Sequence, residues 1–373
     1  MNKTLLTGNE AGAWGGRLAR ADVIPAFPIT PQTELIEAMA QWIADGEMDT
    51  EYVQMESEHS VMSAAIGAEA SGARVFTATS SQGLLLMEEM MYIASGMRLP
   101  IVMVNVSRGL SSPITLWADQ NDVLAQRDAG WLQYHCMNNQ EVLDTVIQAY
   151  KIAENKKVLL PVIINMDGFV LSYTREPTQV PEQKEVDRFL PKYEPTHAVL
   201  DPEKPESMGI VVLGEYMRFR EQHHLAAENA QKVTKDVEKE FAKRFGRKYS
   251  AVEWYGDRDA DNVLVTTNSM STSAIAAVGK NQAVMRIRML RPFPVKEISK
   301  MLEGARNVGV VDRDVAPGEG GIIYPEIRSA LFDSRKKPRI CSYIAGLGGR
   351  PVSKQHFEHM FKKVTKPKDE WIY

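Results

Sequence analysis

Short apolar runs alternate with helix-like segments along residues 1–175, and a polar side chain follows each run closely. The runs predicted as strands are residues 22–27, 51–54, 74–78, 100–106 and 159–166. This alternation is typical of a parallel sheet with helices on both faces, and functional groups in such sheets collect beyond the carboxyl ends of the strands. The polar residues at those ends are Thr30, Glu58, Ser81, Arg108 and Asp167. We therefore expect them to meet at one edge of the sheet and to form the functional site.

The same alternation returns after a long charged interval. Residues 176–258 begin as a Pro- and charge-rich linker and continue as a charged helical stretch at 215–245, which we interpret as a solvated helix packed along a partner. The strands predicted beyond it are residues 263–267, 283–289, 308–312 and 340–345. The sequence therefore predicts an α/β unit at 1–175, a connecting segment at 176–258 and a smaller α/β unit at 259–373.

The composition excludes several classes of protein. A net charge of −4 argues against a general nucleic-acid binder, which would carry a basic surface. No apolar run approaches the ~18 to 20 residues that span a bilayer, and the polar start does not resemble a signal peptide. We therefore expect a cytoplasmic protein that binds neither nucleic acid nor membrane. Because zinc sites and iron–sulfur clusters use about four ligands, mostly thiolates, and the only cysteines are Cys136 and Cys341, we predict no metal site in this chain.

Glu58 stands at a predicted strand-to-helix junction, in the run Glu56-Ser57-Glu58-His59. A carboxylate there could simply cap the helix, because the helix macrodipole favours negative charge at that end. It could also be a shielded carboxylate that relays a proton in catalysis. The residues alone leave both interpretations open.

Arg108 and Thr30 each allow a structural and a functional interpretation. The guanidinium of Arg108 could pair with a carboxylate such as Asp119 or Asp122, or it could hold a substrate carboxylate in a bidentate contact. Thr30 precedes Pro31, which restricts its backbone, so it is either a plain turn residue or one whose hydroxyl points at a ligand. The loop 79–83 offers hydroxyls, an amide and a glycine to a polar ligand, but it lacks the lysine of a phosphate-binding P-loop.

Eight stretches of the sequence resemble the α subunit of pyruvate:ferredoxin oxidoreductases, in the family's order and over nearly the whole chain. They are FPITP at 27–31, ESEHS at 56–60, RVFTATSSQGL at 74–84, GMRLP at 96–100, QRDAGW at 126–131, DGF at 167–169, RPFP at 291–294 and YIAGLGGR at 343–350. The resemblance implies a pyrimidine-binding-type domain of a thiamine diphosphate enzyme, followed by a smaller transketolase-C-terminal-like α/β domain.

The resemblance also implies an activity. Enzymes of this family decarboxylate a 2-oxoacid oxidatively, pass the electrons through iron–sulfur clusters to ferredoxin, and release an acyl-CoA, so coenzyme A is a co-substrate. Thiamine diphosphate carries the carbanion chemistry while the protein tunes it. This chain is thus expected to be an enzyme subunit that oxidises pyruvate or a related 2-oxoacid.

Site residues follow from the matching positions. Glu58 matches the glutamate that contacts the pyrimidine ring nitrogen of the cofactor, whereas Thr30 and Arg108 match the residues that hold the oxoacid carboxylate. These three are the predicted catalytic residues. The further residues predicted to line the cofactor are Pro28, Ser81, Gln82 and Gly83.

The remaining parts of the site are expected on partner subunits. Such sites use a GDG…N segment to hold Mg²⁺ on the diphosphate, and the nearest segment here, residues 255–258, lacks the second glycine. We therefore expect a β-type subunit that binds the diphosphate and Mg²⁺, a γ-type subunit, and a ferredoxin-like subunit that carries the iron–sulfur clusters. The chain is expected to be active only with these partners.

Residues 167–173 and residues 116–122 depart from the sequences usual in the family. The substrate pocket could therefore suit an aryl (phenylglyoxylate-like), branched-chain or dicarboxylic oxoacid instead of pyruvate. A non-catalytic structural subunit is a further alternative, which the intact set of Thr30, Glu58 and Arg108 disfavours. A self-contained thiamine diphosphate decarboxylase or transketolase-like enzyme is disfavoured by the missing GDG…N segment.

Overall fold

The structure is a computed structural model that describes residues 3–195, 197–210, 213–366 and 368–373. The first part of the chain contains strands β1 (Lys3–Leu6), β2 (Val23–Ala26), β3 (Glu51–Gln54), β4 (Phe76–Thr79), β5 (Val102–Ser107), β6 (Leu132–His135), β7 (Val162–Asp167) and β8 (Glu176–Gln179). Its helices are α1 (Gly8–Leu18), α2 (Thr33–Ala44), α3 (Glu58–Ala70), α4 (Ser81–Leu86), α5 (Glu88–Gly96), α6 (Asn121–Ala125), α7 (Asn139–Ala153), α8 (Gln183–Phe189) and α9 (Tyr216–Phe245).

The second part begins with the edge strand β9 (Val252–Gly256). It continues with strands β10 (Asn262–Thr266), β11 (Gln282–Ile287), β12 (Met289–Arg291), β13 (Asn307–Asp312), β14 (Arg339–Ala345) and β15 (Glu370–Ile372). Its helices are α10 (Met270–Ala276), α11 (Val295–Leu302), α12 (Ile323–Ala330) and α13 (Lys354–Lys363). A single 3₁₀ turn, Leu347–Gly349, follows β14.

The first sheet has the strand order β12-β6-β7-β5-β4, and all its neighbours run parallel except β12, which is antiparallel to β6. The parallel pair β2–β3 extends it through a bridge between Val23 and Val75. Every residue of β5 and β7 is buried, because helices cover both faces of these central strands. The predicted α/β fold with a parallel sheet is confirmed, and the predicted strands lie within a few residues of the observed ones.

The second sheet has the order β15-β14-β13-β10-β11-β9, parallel throughout except for the edge strand β9. The two sheets are joined by more than the covalent chain, since β12 leaves the second unit and pairs with β6 of the first. The division at residues 175 and 258 stays a prediction. The connecting segment itself is structured, because β8 pairs antiparallel with β1 and α8 packs against α9.

The charged helix α9 packs against the rest of the chain, whereas the sequence predicted a solvated helix packed along a partner. Its apolar side lies in the same core as α7 and α8, and the ring of Phe241 packs edge-on against that of Phe189 and tilted against that of Phe245, at centroid distances of 5.4 and 4.5 Å. The prediction of a solvated helix packed along a partner was therefore wrong for this side. The charges that suggested it lie mostly on the opposite, exposed side.

A buried ionic cluster connects the two units. Glu141 of α7 accepts from Arg286 and Arg288, each at 2.7 Å, and Arg288 also pairs with Glu238 of α9 at 2.8 Å. Removing one member of such a cluster leaves an uncompensated buried charge, which is strongly destabilising. The cluster therefore fixes the second unit against the helices of the first.

No helix within the described residues is long and apolar enough to cross a membrane.

Candidate active site

Glu58 is the first residue of α3, and its side chain is buried, with 6% of the residue exposed. The preceding residue, Ser57, is the helix cap, because its hydroxyl accepts a hydrogen bond from the Ser60 amide at 3.3 Å. Among the described residues no donor hydrogen-bonds to the Glu58 carboxylate. The capping role considered for Glu58 is therefore filled by Ser57, and its carboxylate is left for another partner.

Gly83 forms the wall against which the Glu58 carboxylate lies. A Cβ atom at position 83 would stand 2.5 Å from Glu58 Oε1 and 2.6 Å from Thr79 Oγ1, both far below normal contact. Thr79 Oγ1 is itself buried without a hydrogen-bond partner. Only glycine at position 83 lets the start of α4 approach the Glu58 carboxylate and Thr79 closely enough to form this part of the site.

Arg108 follows β5 and is also buried, with 8% of the residue exposed. Its Nη1 donates to the main-chain oxygen of Thr30 at 2.6 Å and its Nη2 to Gln82 Oε1 at 3.0 Å. No carboxylate lies within ion-pair distance of its guanidinium among the described residues, and its Nε has no partner. Burial lowers the pKa of Arg108, while the charges of Asp122 and Glu58 act in the opposite direction. The alternative of an ion pair with Asp119 or Asp122 is thus wrong, and donors remain for a ligand.

The turn that carries Pro28 and Thr30 is exposed at both residues. It is held from behind by Gln32, which is fully buried, accepts from the Ile29 amide at 3.2 Å and donates to the main-chain oxygen of Ala78 at 2.9 Å. The sequence interpretation gave Gln32 no role. Gln32 stands two residues after Thr30, at the start of an amphipathic helix. Nothing in the local sequence predicts that its side-chain amide is buried.

The start of α4, directly after β4, brings the remaining predicted residues to the same place, where the sequence had suggested a loop. Ser81 Oγ lies 2.7 Å from Gln82 Oε1 and 3.0 Å from the main-chain oxygen of Gly109. Gln82 in turn meets Arg108. The structure therefore brings Thr30, Glu58, Ser81, Gln82, Gly83 and Arg108 together in one cluster at the carboxyl edge of the first sheet, with Pro28 on the neighbouring turn.

Asp167 lies at the same edge but faces the second unit. It pairs with Arg313 at 2.9 Å and accepts hydrogen bonds from the amide and hydroxyl of Ser269. All three residues are buried. Asp167 therefore joins the two sheets and is not available to a ligand.

Residues 116–122 and 167–173, the two segments that depart from the family's usual sequences, contact each other beside this cluster. The ring of Phe169 lies 4.8 Å from that of Trp117 on one side and 4.8 Å from that of Tyr173 on the other. Trp117 is 48% exposed, and its main-chain oxygen accepts from the amide of Gly109, next to Arg108, at 3.0 Å. A row of three aromatic rings thus lies near the site, in the two segments whose departure from the family's usual sequences leaves the choice of substrate open.

Gly83→Ala is expected to lower kcat by about 10-fold or more, since an added methyl must displace the Glu58 carboxylate and small misplacements at reacting groups are costly. Steady-state assay of the assembled complex, with the melting temperature measured in parallel, checks this result. Gly67→Ala in the same helix as Glu58 is the matched control, because a Cβ at position 67 meets nothing within 4 Å. Equal activities of the two variants would contradict the expectation.

Comparison with known proteins supplies independent findings. Residues 15–239 match the family model described as pyruvate flavodoxin/ferredoxin oxidoreductase, thiamine diphosphate-binding, and residues 260–357 match pyruvate:ferredoxin oxidoreductase core domain II. The chain is 47% identical over 381 residues to the pyruvate synthase subunit PorA of Methanocaldococcus jannaschii, which covers 99% of this chain and 97% of the relative. It is 44% identical over 356 residues to the ketoisovalerate oxidoreductase subunit VorA of Pyrococcus horikoshii, covering 93% and 90%.

Solved structures show the same fold at low identity. A 2-oxoglutarate:ferredoxin oxidoreductase from Magnetococcus marinus, with 2-oxoglutarate, coenzyme A and succinyl-CoA bound, aligns with a TM-score of 0.76 and 20% identity over 97% of this chain and 65% of that chain. A split-gene transketolase aligns with a TM-score of 0.57 and 11% identity over 97% of this chain and 99% of that chain. Both likenesses support a pyrimidine-type domain followed by a transketolase-C-terminal-like domain.

Proposed function

This chain belongs to the pyruvate:ferredoxin oxidoreductase family as its α-type subunit, and we propose that its own residues bind and orient pyruvate at a site shared with a partner subunit. The complex is a 2-oxoacid:ferredoxin oxidoreductase, which uses thiamine diphosphate and coenzyme A. The observation that carries the proposal for the site is a buried carboxylate, Glu58, beside a buried guanidinium, Arg108, neither of which has an ion-pair partner among the described residues.

The residues of the cluster fit the pyrimidine half of thiamine diphosphate. Glu58 offers a buried carboxylate that no described donor occupies, and the missing side chain at Gly83 leaves room for it. When bound, thiamine diphosphate supplies the electron sink that decarboxylation of a 2-oxoacid requires. The part of Glu58 is to hold a proton between its carboxylate and a ring nitrogen, in a setting shielded from water.

Arg108 and Thr30 are proposed to bind the carboxylate of the oxoacid. Two N–H groups of Arg108 are used by Thr30 and Gln82, which fix the guanidinium plane and leave other donors free. A fixed guanidinium binds a carboxylate with little further loss of side-chain freedom. The Thr30 hydroxyl, on an exposed turn next to Arg108, is placed to add a second contact. Pro28, Ser81 and Gln82 are proposed to line the cofactor beside them.

Pyruvate is the first candidate because several relatives at 41–47% identity are pyruvate synthase subunits. A branched-chain oxoacid is the second, because the ketoisovalerate oxidoreductase subunits of two Pyrococcus species are 44% identical to this chain. An aryl oxoacid is also tested, because the aromatic row of Trp117, Phe169 and Tyr173 lies near the site and is exposed at Trp117.

The relatives are named as subunits, so this chain works within a complex. We propose that a β-type subunit holds the diphosphate and Mg²⁺, that a γ-type subunit and an iron–sulfur subunit complete the assembly, and that the complex is cytoplasmic. Within the described ranges, no group of three or more His, Cys, Asp or Glu side chains is placed to hold a metal ion.

Co-purification of the chain with its native partners, followed by assay of CoA-dependent ferredoxin reduction, tests the function. Pyruvate is expected to give a kcat/KM at least ~10-fold above 2-oxoisovalerate, phenylglyoxylate and 2-oxoglutarate, since one or more methylenes change binding by ~1 to 3 kcal/mol. The isolated chain is the control and is expected to be inactive. A complex that oxidised none of these acids would contradict the proposal, and a higher kcat/KM for 2-oxoisovalerate would replace pyruvate by a branched-chain substrate.

A further inference from the structure

We propose that Asp122, which touches neither substrate nor cofactor, is the positioning residue that holds the Arg108 and Gln82–Gly83 halves of the site in register. This inference rests on the proposed function and adds a residue that the sequence suggested only as an ion-pair partner of Arg108. Asp122 is the second residue of α6, and it is fully buried.

The carboxylate of Asp122 receives hydrogen bonds from two strand ends at once. Its Oδ2 accepts from the Ser81 amide at 3.0 Å and from the Arg108 amide at 3.2 Å. Asn105 Nδ2 donates to the same oxygen at 3.2 Å, while Ser107 Oγ and the Val123 amide bond to Oδ1 at 2.5 and 2.7 Å. The end of β4 and the end of β5 are therefore bound to one group.

These contacts bear directly on the functional side chains. Ser81 has a φ of 52°, in the left-handed region that side chains rarely adopt, so its amide direction depends on the acceptor that holds it. The next residue, Gln82, bonds to Arg108, and Gly83 lies against Glu58. A shift of the Ser81 amide would therefore move Gln82 and Gly83 relative to Arg108.

A carboxylate suits this position. Four of the five neighbours named above present N–H groups to Asp122, and a carboxylate can accept at both of its oxygens. The fifth, the Ser107 hydroxyl, lies within hydrogen-bond distance of both Asp122 and the main-chain oxygen of Asp119. Burial raises the pKa of Asp122, and these hydrogen bonds act against that shift. No Lys, Arg or His within the described residues forms an ion pair with it. Asparagine would fill the same volume, but its NH₂ group would replace one of the two carboxylate oxygens. That group would then face the N–H or O–H donors that the oxygen had accepted from.

Asp122→Asn in the assembled complex tests the role. We expect the KM for the 2-oxoacid to rise about 10-fold or more, with a smaller fall in kcat, because Arg108 stays present but loses its alignment. Hydrogen–deuterium exchange read by mass spectrometry gives a measure independent of activity. Peptides that contain Ser81 and Arg108 are expected to exchange at least ~5-fold faster, since both amides share one carboxylate oxygen as acceptor, and the substitution disturbs that shared contact.

Asp144→Asn is the matched control. Asp144 is also fully buried and accepts from Arg247 at 2.8 Å and from Tyr249 at 2.7 Å, but it lies on α7, away from the cluster. This variant is expected to lower the melting temperature without raising KM or the exchange of the Ser81 and Arg108 peptides. Equal KM changes in the two variants would show a general loss of packing and would overturn the proposal.

A gentler variant keeps the test decisive if Asp122→Asn does not fold. Ser107→Ala removes one donor to the carboxylate, and we expect a KM increase of about 2- to 5-fold in the same direction. The positioning role alone would be refuted if the wild-type complex were active and the variants behaved like it. In that case KM and amide exchange would be unchanged in Ser107→Ala and in any Asp122→Asn protein that folds. A wild-type complex that oxidises no 2-oxoacid, with the faster exchange still seen in Asp122→Asn, would instead refute the proposed function and leave the structural link intact.

Discussion

Glu58→Gln in the assembled complex is expected to lower kcat for 2-oxoacid oxidation by about 10³-fold, within the range that a positioned acid–base group contributes. Glutamine keeps the volume of the side chain, so the packing against Gly83 is preserved. It cannot carry the negative charge or exchange the proton that the proposed contact with the pyrimidine ring requires. Steady-state kcat is the measurement, and the dissociation constant for thiamine diphosphate is expected to change by less than about 10-fold, because most of the cofactor is held elsewhere.

Glu56→Gln is the control for this result. Glu56 lies two residues earlier on the same turn, is exposed, and bonds to the hydroxyl of Ser60, which lowers the pKa of its carboxyl. Removal of its charge should leave kcat within about 2-fold, as is usual for exposed surface positions. Full activity of Glu58→Gln would refute the catalytic assignment and would revive the interpretation of the chain as a structural subunit.

Arg108→Gln is expected to lower kcat/KM for the 2-oxoacid by 10² to 10⁴-fold, on the order of two lost hydrogen bonds to a charged group at ~1.5 to 3 kcal/mol each. A large part of the loss should be a higher KM, since the guanidinium is proposed to bind the substrate carboxylate before any bond changes. The measurement is steady-state kinetics across the panel of oxoacids.

Arg98→Gln is the matched arginine control. Arg98 is also held by neutral oxygens, the main-chain oxygens of Leu159 at 3.0 Å and of Val158, and burial lowers its pKa too, but it lies beyond the end of α5. Its removal is expected to lower stability while kcat/KM stays within about 3-fold. A similar loss of kcat/KM for both arginines would show that Arg108 acts through the fold, and unchanged kinetics of Arg108→Gln on every oxoacid would refute its role.

The burial of some helices could not be predicted from the sequence, because it depends on partners far away in the chain. Helix α7 is buried along nearly its whole length, yet it carries Glu141, Asp144 and Gln148. Those side chains are buried because partners from other parts of the chain neutralise or bond them, such as Arg286 for Glu141. A local pattern of apolar and polar residues cannot show a charge that is compensated from 145 positions away.

Helix α1 was missed for a related reason. It is rich in glycine, which lowers helix propensity, but a Cβ at Gly15 would stand 2.6 Å from Val146 Cβ of α7. Close approach of two helices requires the small residue, and the capping box of Thr7 and Glu10 still starts the helix. The cap was readable in the sequence, whereas the packing that makes the glycines useful was not.

The parallel α/β architecture, and the edge at which Thr30, Glu58, Ser81 and Arg108 meet, could be predicted from the sequence, because the alternation of strands and helices and the polar residues that follow each strand are local features. The tertiary structure alone decided which partner each buried polar group takes. Asp122 bonds to the amides of Ser81 and Arg108 but forms no ion pair with the Arg108 guanidinium, whereas Asp167 pairs with Arg313 across the two units. Such pairings are decided by distances between residues far apart in the chain, since a buried charge or hydrogen-bonding group must find its complement wherever the fold places one.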